Sequence, residues 1–365
     1  MMIGATGRNA GKTEFACAVI RRLSREVPVI GVKVTTVAER GGDCPRGGDG
    51  CGVCSSFTGD FCITEERGSE PRKDTARMLA AGAKKVFWVQ VLRESLGKAV
   101  DALKGMLEPG AVMVCESNSL RLAVEPDLFL VAKEKGKDAC KPSCREVLAL
   151  ADEVVESDGK QFSLPPENIL FSFGHWTYKR EAMAIVMAGG GSERMGRDKA
   201  LLPIEGEPMI QRIVRRLEPS FCSLLISAAR EDAFKFLGIE VVPDEAPGAG
   251  PLMALASALA RSRTEINFVM PCDIPDPPQH LIARLLREAR NAEIVVPVTE
   301  QGELEPLFAV YRKSVLPSAR KALSENQRRV ISFFPFHTVK RLALDPETVL
   351  WNLNTMQDYQ ARLKR

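Results

Sequence analysis

The residues that point most directly to chemistry form a glycine-rich stretch followed by two cations. Three consecutive glycines follow an apolar run, and an arginine and a lysine come a few residues later. Glycine lets the backbone approach a ligand because no Cβ blocks it, and successive N–H groups in such a turn can form an anion-binding concavity. We therefore predict that the stretch binds a triphosphate rather than forming an ordinary turn. Its members are Met187, Ala188, Gly189, Gly190, Gly191, Arg194 and Lys199.

An aspartate that follows a buried strand is the best candidate for a metal ligand. The apolar run 266–270 predicts a strand, and Asp273 comes just after it, between Pro271 and Pro275. The prolines stiffen the loop because each fixes its own φ. Mg²⁺ is usually bound by one or two carboxylates together with substrate phosphates, so a single aspartate can suffice. We expect Asp273 to hold Mg²⁺; the alternative is a capping aspartate in a turn.

A second phosphate-binding pattern lies near the N-terminus. Gly11, Lys12 and Thr13 follow a short strand and precede an apolar helical pattern. In a P-loop the lysine reaches the β- and γ-phosphates, the Thr hydroxyl binds Mg²⁺, and the helix N-terminus faces the anion. The spacing departs from the standard one, because Thr6 stands where the first glycine is expected and Gly7 follows it. The strand–loop–helix context still favours phosphate binding over a plain glycine-rich turn.

Two charged residues are expected beside this N-terminal loop. The strand 29–34 carries Lys33, and the apolar strand 111–115 ends on Glu116, a carboxylate that could contact Mg²⁺ or its water. Ligands of parallel α/β sheets sit at the carboxyl ends of the strands. Lys33, Glu116 and the P-loop are therefore predicted to share one edge of a sheet.

A cysteine cluster occupies a glycine-rich loop between the second strand and the next helix. Thiolates at this density suit tetrahedral Zn²⁺ or an iron–sulfur cluster. The alternative is a loop of free thiols, because the outer spacings match no established ligand pattern. The cluster comprises Cys44, Cys51, Cys54 and Cys62. Four other cysteines lie in apolar runs and are predicted to be small core residues: Cys17, Cys115, Cys222 and Cys272.

Strands alternate with helices through most of the chain, which predicts parallel sheets with helices on both faces. The fold class is therefore α/β, with two three-layer α/β/α domains. A Pro-Pro stretch near residue 165 breaks both periodicities and marks a linker. The predicted organisation is a domain over 1–160 with a cysteine-rich insertion at 41–66, a linker over 161–180, and a domain over 181–365. A short helix is expected over 232–237.

Composition excludes several classes of function. The chain has 365 residues, 45% hydrophobic residues and a net charge of +3, which argues against nucleic-acid binding. No apolar stretch approaches the roughly 18 residues that span a bilayer, and the N-terminus has no secretory signal. Ten cysteines without such a signal suit a reducing compartment. We expect a cytoplasmic protein that binds neither nucleic acid nor membrane.

The string from Met187 to Lys199 closely resembles the molybdenum cofactor guanylyltransferases of the MobA type. They belong to the Rossmann-like nucleotidyltransferases. The resemblance extends through the rest of the chain: Val-Val-Pro-Asp244, the segment 248–252, Cys-Asp273-x-Pro, a strand over 305–311, and Asn-Leu-Asn-Thr at 352–355. It departs at Ala228-Ala229, where the family usually has a nucleotide-contacting Asn.

The resemblance implies a role for each matching residue. Arg194, Lys199 and Asp273 would be catalytic, and Asp273 would hold Mg²⁺. Asn352 and Asn354 would bind the acceptor. The nucleotide-binding set would be Met187, Ala188, Gly189, Gly190, Gly191, Lys199, Asp244, Gly250, Pro251, Leu252 and Asp273.

The N-terminal half resembles the MobB-type molybdopterin-guanine dinucleotide adaptors, which are P-loop GTP-binding proteins. The resemblance rests on the P-loop, on Gly-Val-Lys33, on the Lys-Asp-Thr-x-Arg string at 73–77 and on the strand that ends in Glu116. It implies a P-loop NTPase-like domain whose phosphate-binding set is Gly7, Gly11, Lys12, Thr13, Lys33 and Glu116. The chain departs where the family usually has histidines after Lys33 and a glycine after Glu116.

Together the two resemblances imply a fused guanylyltransferase. It would transfer GMP from GTP to molybdopterin that carries molybdenum or tungsten, with Mg²⁺ as cofactor and pyrophosphate as product. Its protein partners would be molybdo- or tungstoenzymes and cofactor-insertion proteins. Two alternatives stay open: a cytidylyl- or sugar-phosphate nucleotidyltransferase of the same fold, and a GTP-dependent cofactor carrier or adaptor.

Overall fold

The computed structural model describes residues 1–37, 59–68, 70, 72–189, 199–345, 348, 350–353 and 355–363. They form two compact units, Met1–Thr177 and Tyr178–Arg365. Segment 161–177 packs on the first unit, where Ile169 is buried and the ring of Phe162 meets the ring of Phe15 edge-on, with 5.0 Å between centroids. No helix in the described ranges is long and apolar enough to cross a membrane.

The first unit is built around one seven-stranded sheet. Its strands are β1 (Met2–Ala5), β2 (Val29–Val37), β3 (Phe61–Glu65), β4 (Lys85–Leu92), β5 (Val112–Glu116), β6 (Phe129–Glu134) and β7 (Glu153–Ser157). The strand order is β3-β4-β2-β5-β1-β6-β7, and every neighbouring pair is parallel except β3 with β4. The predicted parallel sheet is therefore present, with one antiparallel strand at its edge.

Helices cover both faces of this sheet. They are α1 (Lys12–Leu23), α2 (Asp74–Ala80), α3 (Leu96–Gly105) and α4 (Pro142–Arg145). Side chains alternate along β2: Ile30 and Val32 pack with Leu96 of α3, whereas Gly31 lies against Met78 of α2. A short hairpin, β8 (Ile169–Ser172) and β9 (His175–Tyr178), follows. The unit has three layers, as expected.

The second unit also contains a mixed sheet of seven strands. Its strands are β10 (Arg180–Met187), β13 (Phe221–Ser227), β14 (Glu240–Val242), β15 (Ile266–Pro271), β16 (Ile294–Val298), β17 (Ala309–Arg312) and β18 (Val339–Ala343), and β11 (Pro203–Ile204) pairs with β12 (Glu207–Pro208) as a separate hairpin. The order is β14-β13-β10-β15-β17-β16-β18. Strand β17 runs antiparallel to β15 and β16, and the other neighbours are parallel.

Two hydrophobic cores lie on opposite faces of that sheet. Ala184 of β10 contributes to one core and Ile185 to the other, because successive strand residues point to opposite sides. The first core includes residues from α5 (Met209–Leu217) and α7 (Gln279–Glu288), and the second includes residues from α6 (Pro251–Arg261) and α8 (Leu316–Ser324). The last helix is α9 (Met356–Leu363), whose Tyr359 joins the first core.

Several sequence-based expectations are wrong in detail. The helix predicted over 232–237 is only a 3₁₀ turn at Lys235–Leu237. The strand expected over 305–311 begins at Ala309, because residues 305–308 form a turn closed by the Phe308 N–H and the Glu305 carbonyl. Cys222 is exposed instead of buried, whereas Cys17 and Cys115 are core residues.

Candidate functional site

The carboxyl ends of four neighbouring strands in the second unit, β14, β13, β10 and β15, form one continuous edge. Hydrogen bonding continues past the strands: the Ala188 N–H donates to the Ser227 carbonyl at 2.7 Å, and the Cys272 N–H donates to the Met187 carbonyl at 3.0 Å. The Ala228 N–H likewise donates to the Val242 carbonyl at 3.1 Å. The loops that carry the glycine stretch, Asp244 and Asp273 therefore leave the sheet side by side.

The glycine stretch begins at this edge. Gly189 is exposed, and a Cβ added to it would come only within 3.9 Å of the Ala228 Cα, which is an ordinary contact. The described residues around Gly189 therefore do not require a glycine there, and the close approach of a ligand stays the predicted reason for one. Three predicted site residues, Gly190, Gly191 and Arg194, lie outside the described residues.

Asp273 and Lys199 form the charged part of the edge. Burial raises the pKa of the Asp273 carboxyl above its usual value, and the nearby Lys199 ammonium opposes that shift. The Asp273 Oδ1 atom is buried and has no hydrogen-bond partner among the described residues. A buried charged oxygen without a partner is costly, so this carboxylate is arranged for a cation that binds from outside the chain.

A second buried oxygen lies next to Asp273 through the backbone. The Leu353 N–H donates to the Asp273 carbonyl at 2.9 Å, which fixes the segment carrying Asn352 against the aspartate loop. The Asn352 Oδ1 atom is also buried without a hydrogen-bond partner in the described ranges. Carboxylate and amide oxygens suit Mg²⁺, so the residues present fit that ion. Asn354, the other predicted acceptor residue, lies outside the described residues.

A helix N-terminus supplies the next part of the edge. Gly250 precedes α6 with φ 91°, a conformation that favours glycine, and no side chain caps the first turn. Pro251 has no N–H and the Met253 N–H donates to the Gly250 carbonyl, so within this turn the Leu252 N–H is the group that can donate to an anion. Pro251 occupies the first turn, and Leu252 anchors it in the core. Burial raises the pKa of Asp244, which precedes this loop.

Two further charged residues lie near this edge: Arg328, which sequence reasoning missed, and Glu305, which it named only as part of the strand expected over 305–311. Exposed Arg328 lies beside Gly250, with its Cβ 3.7 Å from the position of a Cβ on that glycine. Burial raises the pKa of Glu305, and the negative charges of Glu303 and Asp273 raise it further, so Glu305 also borders the site. The only sequence signal for Arg328 is a doubled arginine in a turn, which carries no motif.

The predicted P-loop of the first unit joins β1 to α1. Gly11 precedes α1 with φ 79°, and no side chain caps the helix. Phe162 limits the space there, since its Cε1 lies 3.1 Å from the position of a Cβ on Gly11. Gly7 has open space around it. The helix N-terminus is therefore available to an anion, as in the P-loop pattern.

Lys12 lies on this N-terminus and faces a buried carboxylate. Its Nζ is 3.6 Å from the Glu116 Oε2, and the Glu116 side chain is 0% exposed. Neither Glu116 oxygen accepts a hydrogen bond from the described residues. Lys33 forms an ion pair with Asp74 at the same edge. Burial alone would raise the pKa of Asp74, but the Lys33 ammonium outweighs it and lowers that pKa.

Asn118 holds the backbone at the end of β1 through its side-chain amide. Its Oδ1 accepts from the Ala5 N–H at 2.8 Å, and its Nδ2 donates to the Ala5 carbonyl at 3.1 Å. A Cβ on Gly4 would lie 2.6 Å from that Oδ1, so a glycine is required there. The two residues together fix the end of β1, from which the loop departs.

The predicted metal-binding cysteine loop lies mostly outside the described residues, which exclude Cys44, Cys51 and Cys54. Cys62 is exposed at β3, with its Sγ 3.8 Å from the Thr64 Oγ1. In the part of the chain that the structure describes, no group of three or more His, Cys, Asp or Glu side chains is placed to hold a metal. The zinc or iron–sulfur site stays a prediction.

Known proteins match the C-terminal half of the chain. Residues 184–339 match the family model for the MobA-like NTP transferase domain. A probable molybdenum cofactor guanylyltransferase from Carboxydothermus hydrogenoformans is 36% identical over 186 residues, which are 49% of this chain and 93% of the relative. A molybdenum cofactor guanylyltransferase from Cupriavidus taiwanensis is 32% identical over 194 residues, which are 51% of this chain and 98% of the relative.

One solved structure is similar over the same share of the chain. It is the molybdopterin-guanine dinucleotide biosynthesis protein A of Archaeoglobus fulgidus, with 19% identity and a TM-score of 0.44. The similarity covers 50% of this chain and 97% of that one.

Proposed function

The chain belongs, through its C-terminal half, to the molybdenum cofactor guanylyltransferases, and we propose that it transfers GMP from GTP to the terminal phosphate of metal-loaded molybdopterin. It is a nucleotidyltransferase, as its relatives are. The observation that carries the proposal is the edge of the second sheet, where Gly189, Lys199 and Asp273 converge and the Asp273 Oδ1 has no hydrogen-bond partner among the described residues.

The reaction needs no general base. A phosphate oxygen of the acceptor forms a bond to the α-phosphorus of GTP, and the bond from that phosphorus to the bridging oxygen breaks. Pyrophosphate leaves with the electron pair. The nucleophile is already mostly dianionic at pH 7, because a phosphomonoester has a second pKa of about 6. The protein therefore acts by positioning the reactants and stabilising charge.

The residues of the edge divide this work. The backbone of Gly189 to Gly191 holds the triphosphate, and Arg194 and Lys199 stabilise charge on the departing pyrophosphate. Asp244 and the segment 250–252 hold the nucleoside side of GTP, and Asn352 and Asn354 hold the acceptor. Asp273 would bind Mg²⁺, an ion that supplies charge neutralisation between the phosphates when bound.

Nucleotide choice tests this function directly. With purified full-length protein, Mg²⁺ and metal-loaded molybdopterin, we expect dinucleotide from GTP at a rate at least about tenfold above that from CTP, because one lost polar contact typically costs about 1–3 kcal/mol. Ala228 stands where the family usually has an Asn that contacts the nucleotide. The comparison of GTP with CTP is needed because this chain departs from the family at that position. Product formed from CTP alone would identify a cytidylyltransferase, and a sugar phosphate serving as acceptor would identify the sugar-nucleotide alternative.

We further propose that the N-terminal half binds GTP as a MobB-like adaptor domain and is not the transfer site. Lys12 and Glu116 lie at the uncapped start of α1, on a sheet separate from the one that carries Asp273. Such a domain would pass the finished cofactor to molybdo- or tungstoenzymes or to cofactor-insertion proteins. A chain without transfer activity that still bound GTP would favour the alternative of a pure carrier.

The cysteine loop is proposed to bind one metal centre. Protein purified without oxygen should contain about one equivalent of zinc, or iron with acid-labile sulfide, because clustered thiolates bind these metals tightly. Elemental analysis measures this. A Cys51→Ser, Cys54→Ser variant should lose the metal, whereas Cys222→Ser, which alters an exposed thiol of the second unit, should keep it. Less than about a tenth of an equivalent in the unaltered protein would contradict the prediction.

A further inference from the structure

The loop that carries Asp273 also carries Asp276, three residues farther along. A cluster of three guanidinium groups holds the Asp276 carboxylate. Asp276 accepts from the Arg212 Nε at 2.9 Å and from the Arg362 Nη2 at 2.6 Å. The Arg216 Nη2 lies 2.9 Å from the same carboxylate. Burial would raise the pKa of Asp276, but these three cations outweigh it and lower that pKa. The carboxylate is therefore held charged and in one orientation.

Arg212 makes this cluster an interior feature of the second unit. Only 4% of its side chain is exposed, although it lies in the middle of α5. A buried guanidinium needs matched acceptors, and Glu205 supplies two more, at 2.8 and 3.2 Å. Glu205 also accepts from Arg362 at 3.3 Å. Arg212, Glu205, Arg362 and Asp276 thus form a closed ring of charge-assisted hydrogen bonds.

The backbone at Glu205 is shaped to complete that ring. Glu205 and Gly206 are the two central residues of the β11–β12 hairpin and have φ values of 50° and 87°. A two-residue turn with both φ positive favours Asn or Asp followed by Gly. Glutamate is unusual there, because a non-glycine residue in this conformation is destabilising. Its two contacts with buried or half-buried arginines offset that destabilisation.

Helix α9 is tied to the Asp273 loop at two separate points. At its start, the buried Leu353 donates its N–H to the Asp273 carbonyl. At its end, Arg362 donates to Asp276 through both Nε, at 3.0 Å, and Nη2. Between them the Tyr359 hydroxyl donates to the Pro203 carbonyl at 2.5 Å. The helix therefore spans the loop and fixes it against α5.

The contacts that Leu353 and Arg362 make with this loop have a consequence for chemistry at Asp273. Residues that orient a metal ligand from behind typically change metal affinity or activity by about 10- to 100-fold when they are replaced. The Asp273 Oδ1 has no hydrogen-bond partner among the described residues, and the hydrogen bond recorded for this carboxyl comes from the backbone of Asp273 itself. The loop backbone must therefore fix its position, and the described contacts to that backbone come from β10 and from the α9 segment.

We propose that Arg362 is a positioning residue for Asp273, acting through Asp276, so that helix α9 sets the geometry of the Mg²⁺ ligand. The inference rests on the proposed role of Asp273 in metal-dependent transfer. An ordinary structural ion pair would contribute to folding and leave metal binding unchanged. A positioning role for Arg362 differs because it predicts a change in metal binding.

The test compares Arg362→Gln with Arg284→Gln in the full-length protein. Arg284 is a matched control, because its side chain is 18% exposed against 19% for Arg362 and it pairs with Asp345 away from the Asp276 carboxylate. Mn²⁺ binding is followed by electron paramagnetic resonance, and the relevant class of sites is the one that Asp273→Asn removes. Steady-state kinetics give kcat and the KM for GTP, and urea unfolding reports stability.

For Arg362→Gln we expect Mn²⁺ affinity at that site and kcat to fall about tenfold each, with the KM for GTP within about twofold. Arg284→Gln should match the unaltered protein in all three. Unchanged Mn²⁺ affinity and kcat in Arg362→Gln would overturn the proposal, including when the urea midpoint falls. Equal losses in Arg284→Gln would also overturn it.

Arg362→Lys decides the question if Arg362→Gln does not fold. Lysine keeps the charge but cannot bridge Glu205 and Asp276 with a fixed fork, so an intermediate loss of about threefold is expected, and unchanged Mn²⁺ affinity would overturn the proposal. Should the unaltered protein form no dinucleotide, the proposed function fails, while the Mn²⁺ affinities still decide whether Arg362 positions Asp273.

Discussion

Replacing Asp273 by asparagine is expected to lower the rate of guanylyl transfer by about 10²–10³-fold, the usual effect of removing one group that stabilises charge in a transition state. The amide has nearly the shape of the carboxylate but lacks its charge. Lys199 would then face the phosphates without a bound divalent cation to share the neutralisation. The measurement is steady-state formation of the dinucleotide from GTP, Mg²⁺ and metal-loaded molybdopterin.

The fold should survive this substitution. Because burial already raises the pKa of Asp273, the charged form is disfavoured in the folded protein, and a neutral amide should not lower the urea midpoint. Mg²⁺ should raise the thermal midpoint of the unaltered protein, since an ion that binds only the folded state stabilises it. In Asp273→Asn most of that increase should be lost, leaving only the part due to any other Mg²⁺ site.

Asp345→Asn is the control for this experiment, because its half-exposed carboxylate pairs with Arg284, in an ion pair that includes none of the residues proposed to carry the reaction. It should transfer GMP at the rate of the unaltered protein. Full activity in Asp273→Asn would contradict the mechanism and leave Lys199 and Arg194 to support catalysis without this carboxylate.

Sequence periodicity was enough to locate the strands that carry the site. The run Ala184–Val186 is apolar throughout because β10 is buried on both faces, between two parallel neighbours. Strand β15 is also mostly apolar and buried, although one of its neighbours, β17, runs antiparallel to it. The positions of Gly189 and Asp273 at strand ends could therefore be inferred from the sequence. The direction of β17 could not, because an antiparallel central strand has the same apolar composition as a parallel one.

The charged ring behind Asp273 shows a different limit. Arg212 lies in an amphipathic helical pattern where arginine predicts a solvent-exposed position, yet it is buried. Its burial depends on Glu205, Asp276 and Arg362, which come from a hairpin, a loop and the last helix. Only the tertiary fold brings these partners together, so no local pattern could have indicated them.

Asn118 and Gly4 form a pairing in the first unit that the sequence does not indicate. Gly4 supplies the space that the Asn118 side chain needs, and the Asn118 side chain hydrogen-bonds the backbone of Ala5. Together they fix the end of β1, from which the predicted phosphate-binding loop departs. The two residues are far apart in the sequence, so no local pattern could have indicated the contact.

Replacing Lys12 by alanine is expected to weaken nucleotide binding in the N-terminal unit by about 10- to 100-fold. A hydrogen bond to a charged group contributes about 1.5–3 kcal/mol, and each 1.4 kcal/mol is about a tenfold change in affinity. Equilibrium dialysis of the full-length protein with labelled GTP should detect about two sites in the unaltered chain. At the same GTP concentration Lys12→Ala should retain about one, and dinucleotide formation should stay within about twofold.

A second variant separates binding from folding. Removing Lys12 leaves the fully buried Glu116 without its ion-pair partner, and an uncompensated buried charge destabilises strongly. Adding Glu116→Gln removes that charge, so the double variant should recover the urea midpoint while the GTP site remains lost. Lys98 lies on α3 and forms a surface ion pair with Asp60. Lys98→Ala, which removes that pair, should keep both GTP sites. If Lys12→Ala abolished dinucleotide formation with free cofactor while remaining folded, the two halves would not divide the work as proposed, because a cation of the first unit would then be required for transfer.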